Sequence, residues 1–100
     1  MSKPLAGTRI LDLTHMLSGP YGSMILADLG AETIKIEPLL GEGTRKLLAT
    51  DLNNSLNGMG AYFITLNRNK KSVSIDLKAE QGLEVFKALV SEADIVLSNF

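Results

Sequence analysis

Two clusters in this sequence have residue types and spacing that suit the binding of an anionic ligand. In the first, the block Leu11–Gly22, a short apolar run ends before His15, and Ser18, Gly19 and Pro20 follow. Pro20 suits the first position of a helix, and Ser18 or Gly19 can cap that helix. Because a helix start presents free backbone N–H groups and a partial positive charge, this block predicts an anion-binding junction between a strand and a helix.

The second cluster is cationic. The segment Asn67–Ser72 contains Arg68, Lys70 and Lys71, and Lys78 follows shortly before a predicted helix. Cations at the ends of strands suit a phosphorylated ligand. The same residues could equally form an ordinary solvated basic loop, and the residues alone leave both interpretations open.

Three other residues are candidates for chemistry or ligand contact. His15, at the end of the first predicted strand, could act as a general base or contact a ligand, or its ring could bond a nearby carbonyl in a structural role. Asn99 and Phe100 follow the last predicted strand and could offer an amide and a stacking ring. Asp12 and Asp28 fall inside a predicted strand and a predicted helix, which favours structural or solvent-facing roles.

Alternating strands and helices must position these residues. We predict strands at 9–14, 33–37, 71–76 and 94–98 and helices at 20–29 and 79–92. The order β-α-β-loop-β-α-β predicts an α/β fold with a mostly parallel sheet and flanking helices. Apolar residues recur at helical spacing in both helices. The predicted buried stripes are Tyr21, Met24, Ile25 and Leu29 in the first helix and Leu83, Phe86, Leu89 and Val90 in the second.

A turn-rich segment separates the second and third strands. Residues 39–60 hold four glycines and three asparagines and predict a long loop with a short helical turn at Leu47 and Leu48. The pattern of residues 61–66 fits either a helix or an extended run.

Composition excludes several classes of protein. The chain has 100 residues, a net charge of −1, one histidine and no cysteine. It therefore has no disulfide framework or thiolate metal site, and it lacks the basic excess of a general nucleic-acid binder. It also lacks an apolar run long enough for a signal peptide or a membrane span, which favours a cytoplasmic protein. Glycine motifs for dinucleotides and phosphates, and the nucleophile elbow, are absent from the sequence.

The chain stops two residues after its last predicted strand. Domains seldom end with a strand that leads nowhere, so we expect residues 1–100 to be the N-terminal part of a larger domain. A complete small domain is the alternative.

Four stretches together carry a resemblance to a known family. They are Pro4–His15 with Ser18–Pro20, Leu26–Pro38, Asn67–Lys78 and Ala93–Phe100. In this order and spacing they resemble the N-terminal part of the family III CoA-transferases, which include formyl-CoA transferase and L-carnitine CoA-transferase.

The resemblance implies a Rossmann-like α/β domain, a smaller second domain and two interlocked subunits. It implies transfer of CoA from an acyl-CoA to a small carboxylic acid, with CoA and acyl-CoA as substrates and no tightly bound cofactor. In the family an aspartate, expected downstream of this segment, attacks the thioester to form a mixed anhydride and release CoA thiolate. No catalytic residue is therefore expected within residues 1–100.

The resemblance also implies which residues contact CoA or the acyl group. They are His15, Leu17, Ser18, Ile75, Asp76, Leu77, Lys78, Asn99 and Phe100. Leu17 and Ser18 match the lining of the CoA and acyl pocket, and residues 75–78 match a stretch that packs on adenosine, with Lys78 placed for a phosphate. Asn99 and Phe100 match another part of the nucleotide site. Arg45 matches a recurring arginine to which we assign no role at this point.

Two departures bear on the substrate. Leu17 stands where formyl-CoA transferase has a glutamine, and Pro38 stands where it has an arginine. Leucine cannot donate a hydrogen bond, which disfavours formyl-CoA and oxalate.

Two alternatives remain open at this stage. The first is an α-methylacyl-CoA racemase of the same fold, and the long stretch that includes Tyr62–Asn67 favours the transferase over it. The second is a non-enzymatic Rossmann-like binding module that is complete at residue 100.

Overall fold

The computed structural model describes residues 3–100. Its strands are β1 (Arg9–Asp12), β2 (Glu32–Glu37), β3 (Ser55–Leu56), β4 (Met59–Gly60), β5 (Lys70–Ser74) and β6 (Ile95–Leu97). Its helices are α1 (Ser18–Asp28), α2 (Ala61–Leu66) and α3 (Glu80–Ser91), with a 3₁₀ turn at Gly43–Arg45.

Four strands form one parallel sheet in the order β5-β2-β1-β6. In β1, one of the two inner strands, Leu11 pairs with Ile34 of β2 on one side and with Val96 of β6 on the other. The short strands β3 and β4 form a separate antiparallel hairpin. The predicted α/β fold with a mostly parallel sheet and flanking helices is therefore confirmed.

The two faces of the sheet differ in character because side chains alternate along each strand. One face carries the apolar core, in which Leu11, Ile36 and Ile75 are buried and Phe86 and Leu89 of α3 pack against them. The other face carries buried polar side chains, among them Asp12 and Lys35. The helices α1 and α2 lie on this polar side, since Ser23 of α1 donates to Asp12 and the ring of Phe63 in α2 lies under the Lys35 ammonium.

The start of α1 differs from the prediction. The helix begins at Ser18 rather than Pro20, and its N-cap is Leu17, which has no side-chain cap hydrogen bond. The predicted cap at Ser18 or Gly19 is therefore wrong. The N–H groups of the first helical turn have no acceptor within the helix, so proline is tolerated at any position of that turn. Pro20 therefore indicates the first turn of the helix but not its first residue.

The predicted buried stripe of α1 is also largely wrong. The buried residues are Pro20, Ser23, Met24 and Ala27. Tyr21, Ile25 and Leu29 are exposed. The helix turns Ser23 inward because its hydroxyl donates to the buried Asp12 carboxylate at 2.6 Å, and a pattern of apolar residues cannot register that contact.

The remaining elements agree with the predictions to differing degrees. The α3 helix lies within the predicted 79–92, although only Phe86 and Leu89 of its predicted stripe turn toward the core, and Leu83 and Val90 are exposed. Residues 61–66 form a helix rather than an extended run. The helical turn predicted at residues 47 and 48 lies instead at Gly43–Arg45, where Glu42 accepts a hydrogen bond from the Thr44 N–H.

Candidate functional site

A cavity of about 480 Å³ opens where the parallel strands end. Its wall is formed by the end of β2 and by residues that follow β1, β2, β5 and β6, because the carboxyl ends of parallel strands meet at one edge of the sheet. The lining residues are Leu13, Thr14, His15, Ile36, Glu37, Pro38, Leu39, Glu42, Gly43, Ile75, Asp76, Leu77, Lys78 and Phe100. The cavity has the size of ordinary ligand pockets, roughly 300–1,000 Å³.

Six of the nine predicted site residues line this cavity. They are His15, Ile75, Asp76, Leu77, Lys78 and Phe100. The structure thus brings His15 together with residues that lie 60 or more positions after it in the chain.

The other three predicted residues lie outside the cavity wall. Leu17 is 57 % exposed, and Ser18, the first residue of α1, is also exposed. Asn99 joins the site indirectly, because its amide spans the backbone of His15: the His15 N–H donates to Asn99 Oδ1 at 3.0 Å, and Asn99 Nδ2 donates to the His15 carbonyl at 2.8 Å. The His15 and Phe100 rings are tilted neighbours with centroids 5.8 Å apart.

Asp76 shapes the wall that leads into α3. Its carboxylate accepts from the Lys78 N–H at 3.1 Å, and its carbonyl accepts from the Ala79 N–H at 3.1 Å. These two bonds form a tight turn, so the Lys78 side chain comes to the exposed rim of the cavity. Lys78 is the one lysine or arginine among the described lining residues, whose other charged members are the carboxylates of Glu37, Glu42 and Asp76.

A buried carboxylate, Glu37, ties the loop after β2 to the sheet. Arg45 donates to it twice, from Nε to Oε1 at 2.6 Å and from Nη2 to Oε2 at 2.8 Å. The Glu42 N–H donates to Oε1 at 2.8 Å, and the Ser72 hydroxyl donates to Oε2. Burial raises the pKa of Glu37, but the hydrogen bonds from Arg45, Glu42 and Ser72 outweigh it and lower the pKa to about 2.

Arg45 now has a structural role. Besides its paired hydrogen bonds to Glu37, its guanidinium carbon lies 3.9 Å from the centroid of the Phe63 ring. Cation–π stacking and the bidentate pair together hold the guanidinium between the loop and α2. Arg45 therefore braces the loop that forms one side of the cavity.

A second buried network lies beneath the junction of β1 and α1. Lys70 Nζ lies 2.9 Å from Asp12 Oδ2 and donates to the Pro20 carbonyl at 3.0 Å. Burial raises the pKa of Asp12. Hydrogen bonds from Ser23 and Thr14 and the charge of Lys70 together lower it by more than burial raises it, so the net shift is downward. Burial lowers the pKa of Lys70 by more than the Asp12 charge raises it.

The predicted cationic cluster is thus divided by the fold. Lys70 is buried in its pair with Asp12, whereas Arg68 pairs with Asp28 and Lys71 pairs with Glu32 on the surface. Among the four cations singled out in the sequence, Lys78 alone lines the cavity.

The sequence analysis missed Glu37 and Glu42 in the cavity wall and Lys35 beneath it. Lys35 Nζ donates to the Thr14 carbonyl at 3.0 Å, although lysine in an alternating strand normally points to solvent. The sequence did contain a sign of these buried charges, because the six-residue strand β2 holds three charged residues, Glu32, Lys35 and Glu37.

Within residues 3–100 no helix is long and apolar enough to cross a membrane. The same described residues contain no group of three or more histidine, cysteine or acidic side chains placed to hold a metal ion.

Comparisons with known proteins agree on one family. Residues 5–100 match the sequence profile of CoA-transferase family III. The chain is 42 % identical over 99 residues to succinyl-CoA:glutarate CoA-transferase of Mus musculus, covering 98 % of the chain and 22 % of that protein. It is 41 % identical over 100 residues to formyl-CoA:oxalate CoA-transferase of Afipia carboxidovorans, covering all of the chain and 23 % of that protein.

A solved structure supports the same assignment. The crystal structure of a CAIB/BAIF family protein from Brucella suis superimposes with a TM-score of 0.89 at 37 % identity, covering all of this chain and 26 % of that one. The chain thus spans about a quarter of the length of these relatives. With its profile match, these identities and this shared fold, the chain belongs to CoA-transferase family III.

Proposed function

We propose that residues 1–100 build part of the CoA-binding site of an enzyme that transfers CoA from an acyl-CoA to a small carboxylic acid. The observation that carries the proposal is the cavity at the carboxyl ends of the strands, into which the fold gathers His15 and Ile75–Lys78. The apolar part of the wall and the cation at its rim suit a ligand that joins a flat heterocycle to phosphate groups, and the carboxylates of Glu37, Glu42 and Asp76 are bound by groups of the protein itself.

The residues that line this cavity suit different parts of CoA. Ile75 and Leu77 supply apolar surface against which an adenine ring can pack, and Lys78 supplies positive charge for a phosphate. His15, held on both sides by Asn99, forms the wall nearest to α1. The site binds CoA as a substrate, and we propose no tightly bound cofactor.

The covalent chemistry belongs to an aspartate outside this segment. Its carboxylate attacks the thioester carbonyl, the C–S bond breaks, and the electron pair leaves on CoA sulfur as a thiolate, which gives a mixed anhydride. CoA thiolate and the acceptor carboxylate complete the exchange through further intermediates on the same aspartate. The N–H groups of Ser18 and Gly19 have no acceptor within α1 and can stabilise negative charge that develops beside the helix start.

The acceptor acid is proposed only by class. Leu17 cannot donate a hydrogen bond to an acyl intermediate, so we propose a carboxylic acid other than oxalate, acting in a homodimer of interlocked subunits. A racemase of the same family is the alternative, and it predicts CoA binding without transfer.

The contribution of Lys78 tests where CoA binds. In the full-length protein we expect Lys78→Ala to weaken CoA binding about tenfold, since a hydrogen bond to a charged group contributes about 1.5–3 kcal/mol. Lys87→Ala, which removes an exposed lysine from α3 away from the cavity, should leave the affinity unchanged. Calorimetric titration of CoA into both variants measures the difference. An unchanged affinity for Lys78→Ala would remove Lys78 from the site.

A further inference from the structure

The turn between β1 and α1 holds Met16 in an unusual backbone conformation. Its φ is +71°, in the left-handed region that residues with a Cβ rarely adopt. The next residue, Leu17, is the N-cap of α1, and its side chain makes no capping hydrogen bond. The start of the helix is therefore not fixed by a side-chain cap. Contacts from other segments of the chain hold this turn instead.

Asn99 holds the backbone of His15, the preceding residue, and the side chain of Glu42 holds Met16 itself. The Met16 N–H donates to Glu42 Oε1 at 2.8 Å, across 26 positions of sequence. The second carboxylate oxygen, Oε2, accepts from the Thr44 N–H at 2.9 Å and from the Thr44 hydroxyl. Glu42 is 5 % exposed, so both oxygens are held away from water.

Glu42 is itself fixed by the sheet. Its N–H donates to Glu37 Oε1, and Glu37 is the last residue of β2 and the partner of Arg45. One chain of hydrogen bonds therefore runs from the sheet through Glu37 and Glu42 to Met16. The loop after β2 and the turn after β1, which form adjoining parts of the cavity wall, are coupled by this carboxylate.

We propose that Glu42 is a positioning residue that holds Met16 in its left-handed conformation and so sets the direction of Leu17, Ser18 and the start of α1. This inference rests on the proposed function, because it assigns the turn a task at the acyl end of the CoA site. Loss of the carboxylate allows Met16 to relax to negative φ, which redirects every residue that follows. Glu42 lies in the cavity wall, but its two carboxylate oxygens are bound to Met16 and Thr44.

Three variants of the full-length enzyme separate positioning from simple stability. Glu42→Ala removes both contacts, whereas Glu42→Gln keeps a carbonyl oxygen that can accept from Met16. Thr44→Ala is the matched control, because it removes a hydroxyl bound to the other oxygen and leaves the Met16 contact intact. The readouts are hydrogen exchange of the Met16 amide, kcat and KM with acyl-CoA, and the Kd of CoA.

For Glu42→Ala we expect Met16 exchange to accelerate about tenfold, as one charge-assisted hydrogen bond is lost. We expect kcat to fall tenfold or more, because small misplacements of a positioning group are costly, while the Kd of CoA changes less than about threefold. Glu42→Gln should recover most of both effects, and Thr44→Ala should keep near-normal kcat and Met16 exchange. If Glu42→Ala does not fold, Glu42→Asp, one methylene shorter, should show the same pattern.

Two results overturn the inference: Met16 exchange that does not respond to Glu42→Ala or Glu42→Asp, or a fall in kcat that Thr44→Ala reproduces in full. A wild-type protein that binds no CoA overturns the proposed function instead, and Met16 exchange then still decides whether Glu42 holds the turn.

Discussion

At the residue scale, the chemistry of Glu37 is set by the groups around it. The carboxylate is buried at the end of β2, yet Arg45, Ser72 and the Glu42 N–H satisfy both of its oxygens. These contacts favour the charged form more than burial disfavours it, and the pKa falls to about 2. The carboxylate therefore acts as a fixed negative anchor for the loop after β2.

This lowered pKa predicts a specific pH dependence of stability. A carboxylate with its pKa lowered from 4.5 to about 2 contributes stability that is present above pH 4.5 and is lost as the pH falls toward 2. The shift corresponds to about 3 kcal/mol at neutral pH. Glu37→Gln should reduce the free energy of unfolding by about that amount at pH 7, and the difference from wild type should shrink below pH 4.5.

Chemical denaturation at a series of pH values measures this difference. Glu84→Gln, on the exposed surface of α3, is the control for the loss of a carboxylate. A difference between wild type and Glu37→Gln that stays constant from pH 7 to pH 2 would contradict the account.

The buried pair of Lys70 and Asp12 gives a second prediction at this scale. The Lys70 and Asp12 side chains are 1 % and 0 % exposed, and removal of one partner leaves a buried charge without its counter-ion. Lys70→Met should therefore cost about 3–5 kcal/mol in the free energy of unfolding. Lys71→Met removes the next lysine, which pairs with Glu32 on the surface at 69 % exposure, and should cost less than about 1 kcal/mol. Equal costs for the two variants would show that burial of the Asp12 pair does not matter.

The sequence allowed only part of the candidate site to be predicted. The stretch Ile75–Lys78 was located by family resemblance, and the fold places it in the cavity wall. Glu42 could not be located, because its partners Met16 and Thr44 are defined by a left-handed turn and a 3₁₀ turn that leave no periodic pattern. Hydrogen bonds between distant segments depend on the folded geometry, which local sequence does not specify.

At the element scale, the packing of α3 on the turn at Asp76 depends on one glycine. A Cβ at Gly82 would lie 2.0 Å from the Asp76 carbonyl oxygen, which is too close for any real contact. Gly82→Ala should therefore push α3 away from the cavity wall, at a cost of about 1–3 kcal/mol, and weaken CoA binding.

Gly22 of α1 is a matched control for this prediction. A Cβ there would meet no atom within 4 Å, so Gly22→Ala should stabilise the helix by about 0.5–1 kcal/mol. Thermal unfolding and CoA titration of both variants test the pair of expectations. A Gly82→Ala variant as stable as wild type would show that α3 does not approach Asp76 so closely.

Periodicity predicted most elements because it reports directly on burial. The four strands of the parallel sheet and the helix α3 occur in the predicted order, and each differs from its predicted bounds only by one or two residues at its ends. The short hairpin of β3 and β4 was not predicted. The face of α1 was mispredicted because it packs on the polar side of the sheet, where Ser23 contacts Asp12. Hydrophobic spacing cannot predict a helix face that is buried through polar contacts.

At the scale of the whole molecule, apolar surface is distributed unusually. Among residues 3–100, eighteen large hydrophobic side chains are exposed, whereas nine hydrophobic residues form the buried core. The helix α3 has no buried residue at all, and Ile95 and Val96 of β6 are exposed. Exposed apolar surface of this extent is typical of a face that contacts other protein surface.

This distribution predicts the behaviour of residues 1–100 expressed alone. We expect the isolated segment to self-associate, because the exposed apolar side chains would otherwise be in contact with water. Light scattering after size-exclusion chromatography measures the association. A monodisperse monomer with a single sharp unfolding transition would favour the alternative of an independent binding module.

The central claim is that this fold builds part of a CoA site, and calorimetric titration of CoA into the full-length protein tests it most directly. Acyl-CoA and carboxylate pairs should be assayed for transfer on the same preparation. We predict saturable binding that Lys78→Ala weakens, together with transfer to at least one carboxylic acid. Binding without transfer would favour the racemase, and the absence of CoA binding would contradict the account.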